Sequence, residues 1–125
     1  MHASTSETYG AAGCASIDEA YPLHGQSPYS ASKIAADKMA ESLYCSFNLP
    51  ITTIRPFITY GPHQSARAFI PTVISQALTQ DVVKLGLLTP VRDFTFVQGT
   101  VSAFIKVAEL PGSVSEVFNA GAGGV

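Results

Sequence analysis

The segment Ser27-Pro28-Tyr29-Ser30-Ala31-Ser32-Lys33 places a phenol and an ammonium four residues apart. On a helix that spacing puts both on one face, one turn apart. A free phenol has a pKa near 10, so its phenolate is scarce at neutral pH. A neighbouring ammonium favours the phenolate. Such a pair can take a proton from an alcohol as hydride leaves the same carbon. Taken alone the pattern is weak, since a tyrosine four residues before a lysine is common by chance on an exposed helix face. Here it opens a capped helix after a long loop, which gives it context.

A second cluster lies upstream. Ala3-Ser4-Thr5-Ser6-Glu7-Thr8-Tyr9-Gly10 groups hydroxyls with one carboxylate just before a glycine turn. By itself it reads equally as a helix cap or a solvated loop. The three histidines, His2, His24 and His63, are far apart and lack metal-ligand spacing. Cys14 and Cys45 are too few for a disulfide framework and form no CxxC pair, so a reduced, cytoplasmic setting is the simpler reading.

The elements that must position these groups follow from local chemistry. Residues 11–27, rich in Gly, Ala, Pro and Ser, read as a long loop, a kind that is often functional. Ser27 is a good N-cap and Pro28 suits the first helical position, so a helix is expected from Pro28 to about Phe47. Ala36, Ala40, Leu43 and Phe47 form its expected apolar stripe. Asn48-Leu49-Pro50 stops it. The β-branched run Ile51–Ile54 reads as a buried strand that Arg55-Pro56 ends, and Tyr60-Gly61-Pro62 is turn chemistry. A second helix is expected over 66–78, with Pro71 in its first turns. Short strands are expected at 82–85, 94–96 and 116–119. A third helix is expected over 101–110, burying Phe104, Ile105, Val107 and Ala108 and ending at Pro111-Gly112. Helices alternating with β-rich segments indicate an α/β fold with a mainly parallel sheet.

Composition narrows the function classes. The 125 residues are 46% hydrophobic and 13% charged, which argues against disorder and suits one domain. A net charge of -2 with scattered Lys and Arg gives no reason to expect a nucleic-acid partner. No apolar run is long enough to span a bilayer, and the first ten residues lack the features of a signal peptide.

Taken together, Ser4-Thr5-Ser6-Glu7-Thr8-Tyr9-Gly10 and the Tyr29–Lys33 pair resemble the S-T-[DS]-E-x-Y-G and YxxxK motifs of the extended short-chain dehydrogenase/reductase family, the NAD-dependent nucleotide-sugar epimerases, dehydratases and decarboxylases. The resemblance continues in order. Arg55-Pro56-Phe57-Ile58-Thr59-Tyr60-Gly61-Pro62 is similar to R-P-x-N-x-Y-G-P, Arg92-Asp93-Phe94 to R-D-[FYW], and Asn119-Ala120-Gly121 to N-[IAV]-G. Residues 26–38 and 65–71 look most like bacterial UDP-N-acetylglucosamine-type 4,6-dehydratases. The implied fold is a partial Rossmann-like, doubly wound, mainly parallel sheet. Residues 1–56 would be the C-terminal part of the Rossmann-like domain, carrying the catalytic residues. Residues 57–125 would be the remaining sheet and part of the substrate-binding region.

The resemblance also implies roles. Tyr29 matches the general base. Lys33 matches the residue that supports it and bonds the nicotinamide ribose. Thr5 matches the hydroxyl that holds the sugar O4. Glu7 matches the base that removes the C5 proton, and Ser6 stands where many dehydratases carry an acid. Pro56 and Phe57 match the segment flanking the nicotinamide. Arg92 matches the arginine on the sugar-nucleotide diphosphate, a task that suits a guanidinium fork; a salt bridge to Asp93 or Glu7 explains it equally well. Arg67 is a second candidate nucleotide contact, from the start of its helix. The implied cycle is oxidation at C4 with NAD, loss of water across C5 and C6, and return of hydride to C6. Epimerase or decarboxylase action is the alternative within the family, and a non-catalytic truncated product is the alternative outside it. The implied partners are a nucleotide sugar, a UDP-sugar on the subfamily likeness, and a second copy docked through the YxxxK helix, with no nucleic acid and no membrane.

Some positions depart from the pattern. Family members carry a glycine-rich G-x-x-G-x-x-G turn for the dinucleotide, and this chain has none; Gly121-Ala122-Gly123-Gly124 has no helix after it. The chain therefore reads as lacking the dinucleotide-binding half, and the expectation is that these 125 residues alone do not hold NAD and are marginally stable. Ile58 stands where Asn is usual, His63 where Arg is frequent, and Leu87 where a small polar residue is usual. Gly99 stands where Asp commonly caps the next helix.

Overall fold

Parallel pairing organises the described residues, 1–11 and 16–123 of the computed structural model. Strand β1 (His2–Ala3) leads through a 3-10 turn (Ser6–Tyr9) and a long connection to helix α1 (Pro28–Phe47). Strand β2 (Thr53–Pro56) then lies parallel to β1, with His2 opposite Thr53. The chain leaves this sheet at Phe57 and enters a second one. Strand β3 (Ile58–Tyr60), helix α2 (Phe69–Thr79) and strand β4 (Phe94–Phe96) form a β-α-β unit whose strands are also parallel. Helix α3 (Val97–Glu109) returns the chain to strand β5 (Val117–Ala120), which pairs with β2. The sheets are therefore β1-β2-β5 and β3-β4.

Side-chain alternation along β2 and β5 explains why helices cover both faces of the first sheet. Ile54 and Ala120 pack with Val107, Ala103, Phe104 and Phe118 to make an apolar cluster beneath α3. Thr53, Arg55 and Val117 face the other way, toward α1, and line a cavity of about 640 Å3 with Asp37, Tyr44 and Tyr21. This is the α/β arrangement with a parallel sheet that the sequence predicts. Neither Tyr29 nor Lys33 lines that cavity.

Helix α1 has the predicted limits. Ser27 Oγ accepts from the Ser30 amide and the Ser30 hydroxyl accepts from the Ser27 amide, so two helix-start donors are satisfied reciprocally. Asn48, in the left-handed region at φ 54°, closes the helix. The stripe needs correction. Ala40 is buried, but Phe47 is 70% exposed, and the other buried residues are Ser30 and Asp37. Ala36 and Leu43 are half-buried, so only Phe47 leaves the expected stripe, and the buried polar residues Ser30 and Asp37 lie beside it on the neighbouring face.

Other boundaries move for identifiable reasons. Arg55 lies inside β2 and Pro56 is its last residue, so the strand runs two residues past Ile54 before Pro56 ends it. No strand forms at 82–85; the Lys84 amide donates instead to the Gln76 side chain. Helix α2 starts at Phe69, which puts Pro71 in the first turn, where its missing N–H costs no helical bond. Helix α3 starts at Val97, so Gly99 lies within its first turn and is not the N-cap. Of its expected core, Val107 is buried, whereas Ile105 and Ala108 are exposed. Cys14 and the final Gly124-Val125 lie outside the described residues.

Candidate active site

The C-terminal ends of parallel β1 and β2 share one edge, and Ser4 extends their ladder by donating its amide to the Ile54 carbonyl at 2.8 Å. Thr5 is extended and caps the 3-10 turn, accepting from the Glu7 amide at 3.3 Å. Thr8 closes the turn by donating its hydroxyl to the Thr5 carbonyl at 2.8 Å. Gly10 ends it at φ +71°, and a Cβ there would sit 3.1 Å from His24. Only glycine meets both demands cheaply. One short turn thus presents Thr5 and Ser6, both half-buried, beside an exposed Glu7.

Helix α1 delivers Lys33 to the same edge. Its ammonium donates to the Ala3 carbonyl at 3.1 Å, the last residue of β1. Next to it, the buried Ser4 hydroxyl has no hydrogen-bond partner. Tyr29 lies one turn earlier on α1, is 51% exposed, and no hydrogen bond engages its hydroxyl among the described residues. Pro56 and Phe57 sit at the end of β2, half-buried. Thr5, Ser6, Glu7, Lys33, Pro56 and Phe57 therefore all belong to the strand-end edge. No direct bond links Tyr29 to Thr5, Glu7 or Lys33 among the described residues.

Among the described residues neither candidate arginine is bonded to that turn. Arg92 is exposed and, among the described residues, donates only to the Val91 carbonyl, so neither Asp93 nor Glu7 pairs with it. Arg67 is exposed and lies two residues before α2, not on its first turn. Asp93 has a different task. Its carboxylate accepts from the amides of Ala122 and Gly123 at 3.1 and 3.3 Å, and from the Thr95 hydroxyl. It pins the segment after β5 to β4. A Cβ at Gly121 would come 2.6 Å from Asp93 Oδ2. Gly121→Ala is expected to displace that carboxylate and cost about 1–3 kcal/mol, read as a lower urea midpoint with unchanged slope.

Sequence reasoning missed the buried network behind the turn. Arg55, 4% exposed, donates from Nε to Asp37 Oδ2 at 3.0 Å, and its Nη2 lies 3.0 Å from the same oxygen. His2 Nε2 meets Asp37 Oδ1 at 3.0 Å. Arg55 Nη1 donates to the Tyr9 hydroxyl at 2.9 Å, which donates to Asn119 Oδ1 at 2.8 Å. Asn119 in turn holds the 16–19 stretch, donating its side chain to the Ile17 carbonyl and its amide to Glu19. One signal was available. Asp37 follows Tyr29 and Lys33 at four-residue steps, so it shares their face, and an arginine in a β-branched run needs a carboxylate.

Burial raises the Tyr9 pKa above its ordinary 10.0, against the opposing pull of the Arg55 and Asn119 hydrogen bonds. Folding therefore favours the neutral phenol. That contribution is complete below pH 10 and is lost as pH climbs through the folded value. Alkaline unfolding should accompany Tyr9 ionisation in a near-ultraviolet titration, and Tyr9→Phe should remove that component.

Among the described residues no helix is long and apolar enough to cross a membrane, and no cluster of three His, Cys, Asp or Glu could hold a metal ion. The chain is 35% identical over 123 residues to the dTDP-glucose 4,6-dehydratase of Xanthomonas campestris pv. campestris (strain B100), covering 97% of this chain and 35% of that protein. The solved dTDP-glucose 4,6-dehydratase of Bacillus anthracis, in complex with NAD, superposes with a TM-score of 0.90 at 36% identity, over 98% of this chain and 40% of that one. The UDP-glucuronic acid 4-epimerase of Bacillus cereus, solved with UDP-glucuronic acid and NAD, gives 0.87 at 28% identity, over 96% and 38%. The chain thus spans about 35–40% of the length of these relatives. The Rossmann-like dehydratase fold agrees with the parallel sheets described above. A family profile described as GDP-mannose 4,6 dehydratase matches residues 1–122, and the chain belongs to that family.

Proposed function

We propose that the complete gene product is an NAD-dependent nucleotide-sugar 4,6-dehydratase, with residues 1–56 contributing the catalytic edge and residues 57–125 the remaining sheet and part of the substrate-binding region. The carrying observation is the Thr5-Ser6-Glu7 turn at the strand end that Lys33 reaches from α1. An exposed carboxylate in that turn suits removal of a proton from C5, which C4 epimerisation does not need.

Tyr29 takes the C4 hydroxyl proton and Thr5 holds O4. The keto group at C4 acidifies the C5 proton, which Glu7 removes. The C6–O bond then breaks, the Ser6 hydroxyl donating a hydrogen bond to the departing oxygen, and the proton held by Glu7 leaves with it as water. Arg92 and Arg67 bind the diphosphate and nucleotide. The unpartnered Ser4 hydroxyl and the Lys33 ammonium are polar groups of the kind a nicotinamide ribose needs, so Tyr29, Lys33, Pro56 and Phe57 fit that half of NAD. NAD, when bound, supplies hydride acceptance and return. These 125 residues contain no glycine-rich strand-to-helix turn for the adenosine half. The isolated chain is therefore expected to show no NAD binding by calorimetry.

The substrate is a nucleotide hexose. The relatives take dTDP- and UDP-sugars, so both belong in the assay. We place the enzyme in the cytoplasm and assign a homodimer contact to the outer face of α1, where Met39 and Phe47 are exposed. C4 epimerisation is the second reading, supported by the epimerase neighbour. Incubating the complete gene product with NAD and each sugar should yield a 4-keto-6-deoxy product, and Glu7→Gln should stop elimination. A C4 epimer as the sole product, or no conversion, would overturn the dehydratase reading.

A further inference from the structure

The Thr5–Glu7 turn and helix α1 are separate pieces of chain that must hold one distance if Glu7, Thr5, Tyr29 and Lys33 are to act on one sugar. Few direct side-chain bonds join them. The ladder bond from Ser4 to Ile54 fixes where the turn begins. Its far end is fixed by Tyr9, which is 1% exposed. Arg55 reaches both pieces at once: Nη1 donates to the Tyr9 hydroxyl, while Nε and Nη2 grip Asp37, one turn beyond Lys33 on the same face of α1. The guanidinium lies 5.0 Å from the Tyr9 ring centroid, so ring and cation also pack together.

A buried ion pair is an inefficient stabiliser, because removing both charges from water offsets most of their attraction. Directional bonds from a rigid planar fork do something an apolar contact cannot: they fix register. We propose that Arg55 and Tyr9 are positioning residues that hold the Thr5–Glu7 turn at the working distance from the Tyr29–Lys33 face of α1. Neither touches substrate, since both are buried. The inference rests on the dehydratase reading given above.

Two variants of the complete gene product test it, each read by amide hydrogen exchange and by steady-state kinetics. Tyr9→Phe keeps the ring and removes both hydroxyl bonds. Arg55→Lys keeps the charge beside Asp37 and removes the fork. In each, exchange of the Thr8 and Gly10 amides, which close the turn, should rise at least about five- to tenfold, the loss of the Arg55–Tyr9 bond common to both variants expressed as an opening equilibrium, while mid-α1 amides stay protected. The turnover number kcat should fall on the order of 100-fold with KM changed little, as expected for misplaced groups. Unchanged turn exchange overturns the proposal. So does raised exchange with kcat unchanged, or full rescue by lysine, because either leaves the network a purely structural one. Should the wild type convert no sugar nucleotide, the dehydratase reading fails, and the exchange measurement still decides whether the network ties the turn to α1.

Discussion

Replacing Arg55 with leucine will lower the stability of the chain by about 3–5 kcal/mol, a large fraction of what a small domain possesses. The pair is almost fully buried, with side chains 5% exposed for Arg55 and 6% for Asp37. Among the described residues, leucine leaves Asp37 as a buried charge bonded only to His2, and leaves the Tyr9 hydroxyl without a donor. The cost comes from that stranded charge, not from lost packing. Asp37→Leu should cost a similar amount for the mirror-image reason. The double variant removes both charges and should recover part of the loss. Urea unfolding of the four proteins checks this; a double variant as unstable as the sum of the two singles would show that the pair is not the source.

Tyr29→Phe should do the opposite. Its ring is half exposed, and its hydroxyl makes no bond among the described residues, so stability should stay within about 0.5 kcal/mol. Sugar-nucleotide turnover by the complete gene product should fall by about 10²–10⁴-fold, the usual contribution of a positioned general base. Lys33→Met separates the two halves of the pair further. It frees the Ala3 carbonyl and removes the ammonium proposed to hold the nicotinamide ribose, so it should weaken NAD binding as well as turnover. A Tyr29→Phe enzyme with normal turnover would remove that residue from the chemistry.

Helix α1 was legible because its punctuation is local: Ser27-Pro28 opens it and Asn48 closes it in the left-handed region. The strand-end turn was legible only as a pattern of hydroxyls and a carboxylate. Its 3-10 form depends on Gly10 packing against His24, a contact between distant positions. Strand β2 was misplaced because its charge looked like a terminator. Arg55 stays in the ladder because Asp37, eighteen residues earlier, neutralises it. The Val82–Leu85 run has strand-like residues but no partner strand, so propensity alone did not suffice. Strand β3 was hidden by the turn chemistry that follows it at Gly61-Pro62. The buried network was the least visible feature, since long-range polar partners leave no periodic trace. Arg92 and Arg67 were readable as candidates, yet sequence could not tell that neither lies on the strand-end turn.

The most direct measurement follows a deuterium atom. The complete gene product is given NAD and a nucleotide hexose deuterated at C4, and the product is read by NMR. Deuterium recovered at C6 of a 4-keto sugar is the predicted result. Deuterium retained at C4 of an epimer would contradict the assigned role of Glu7.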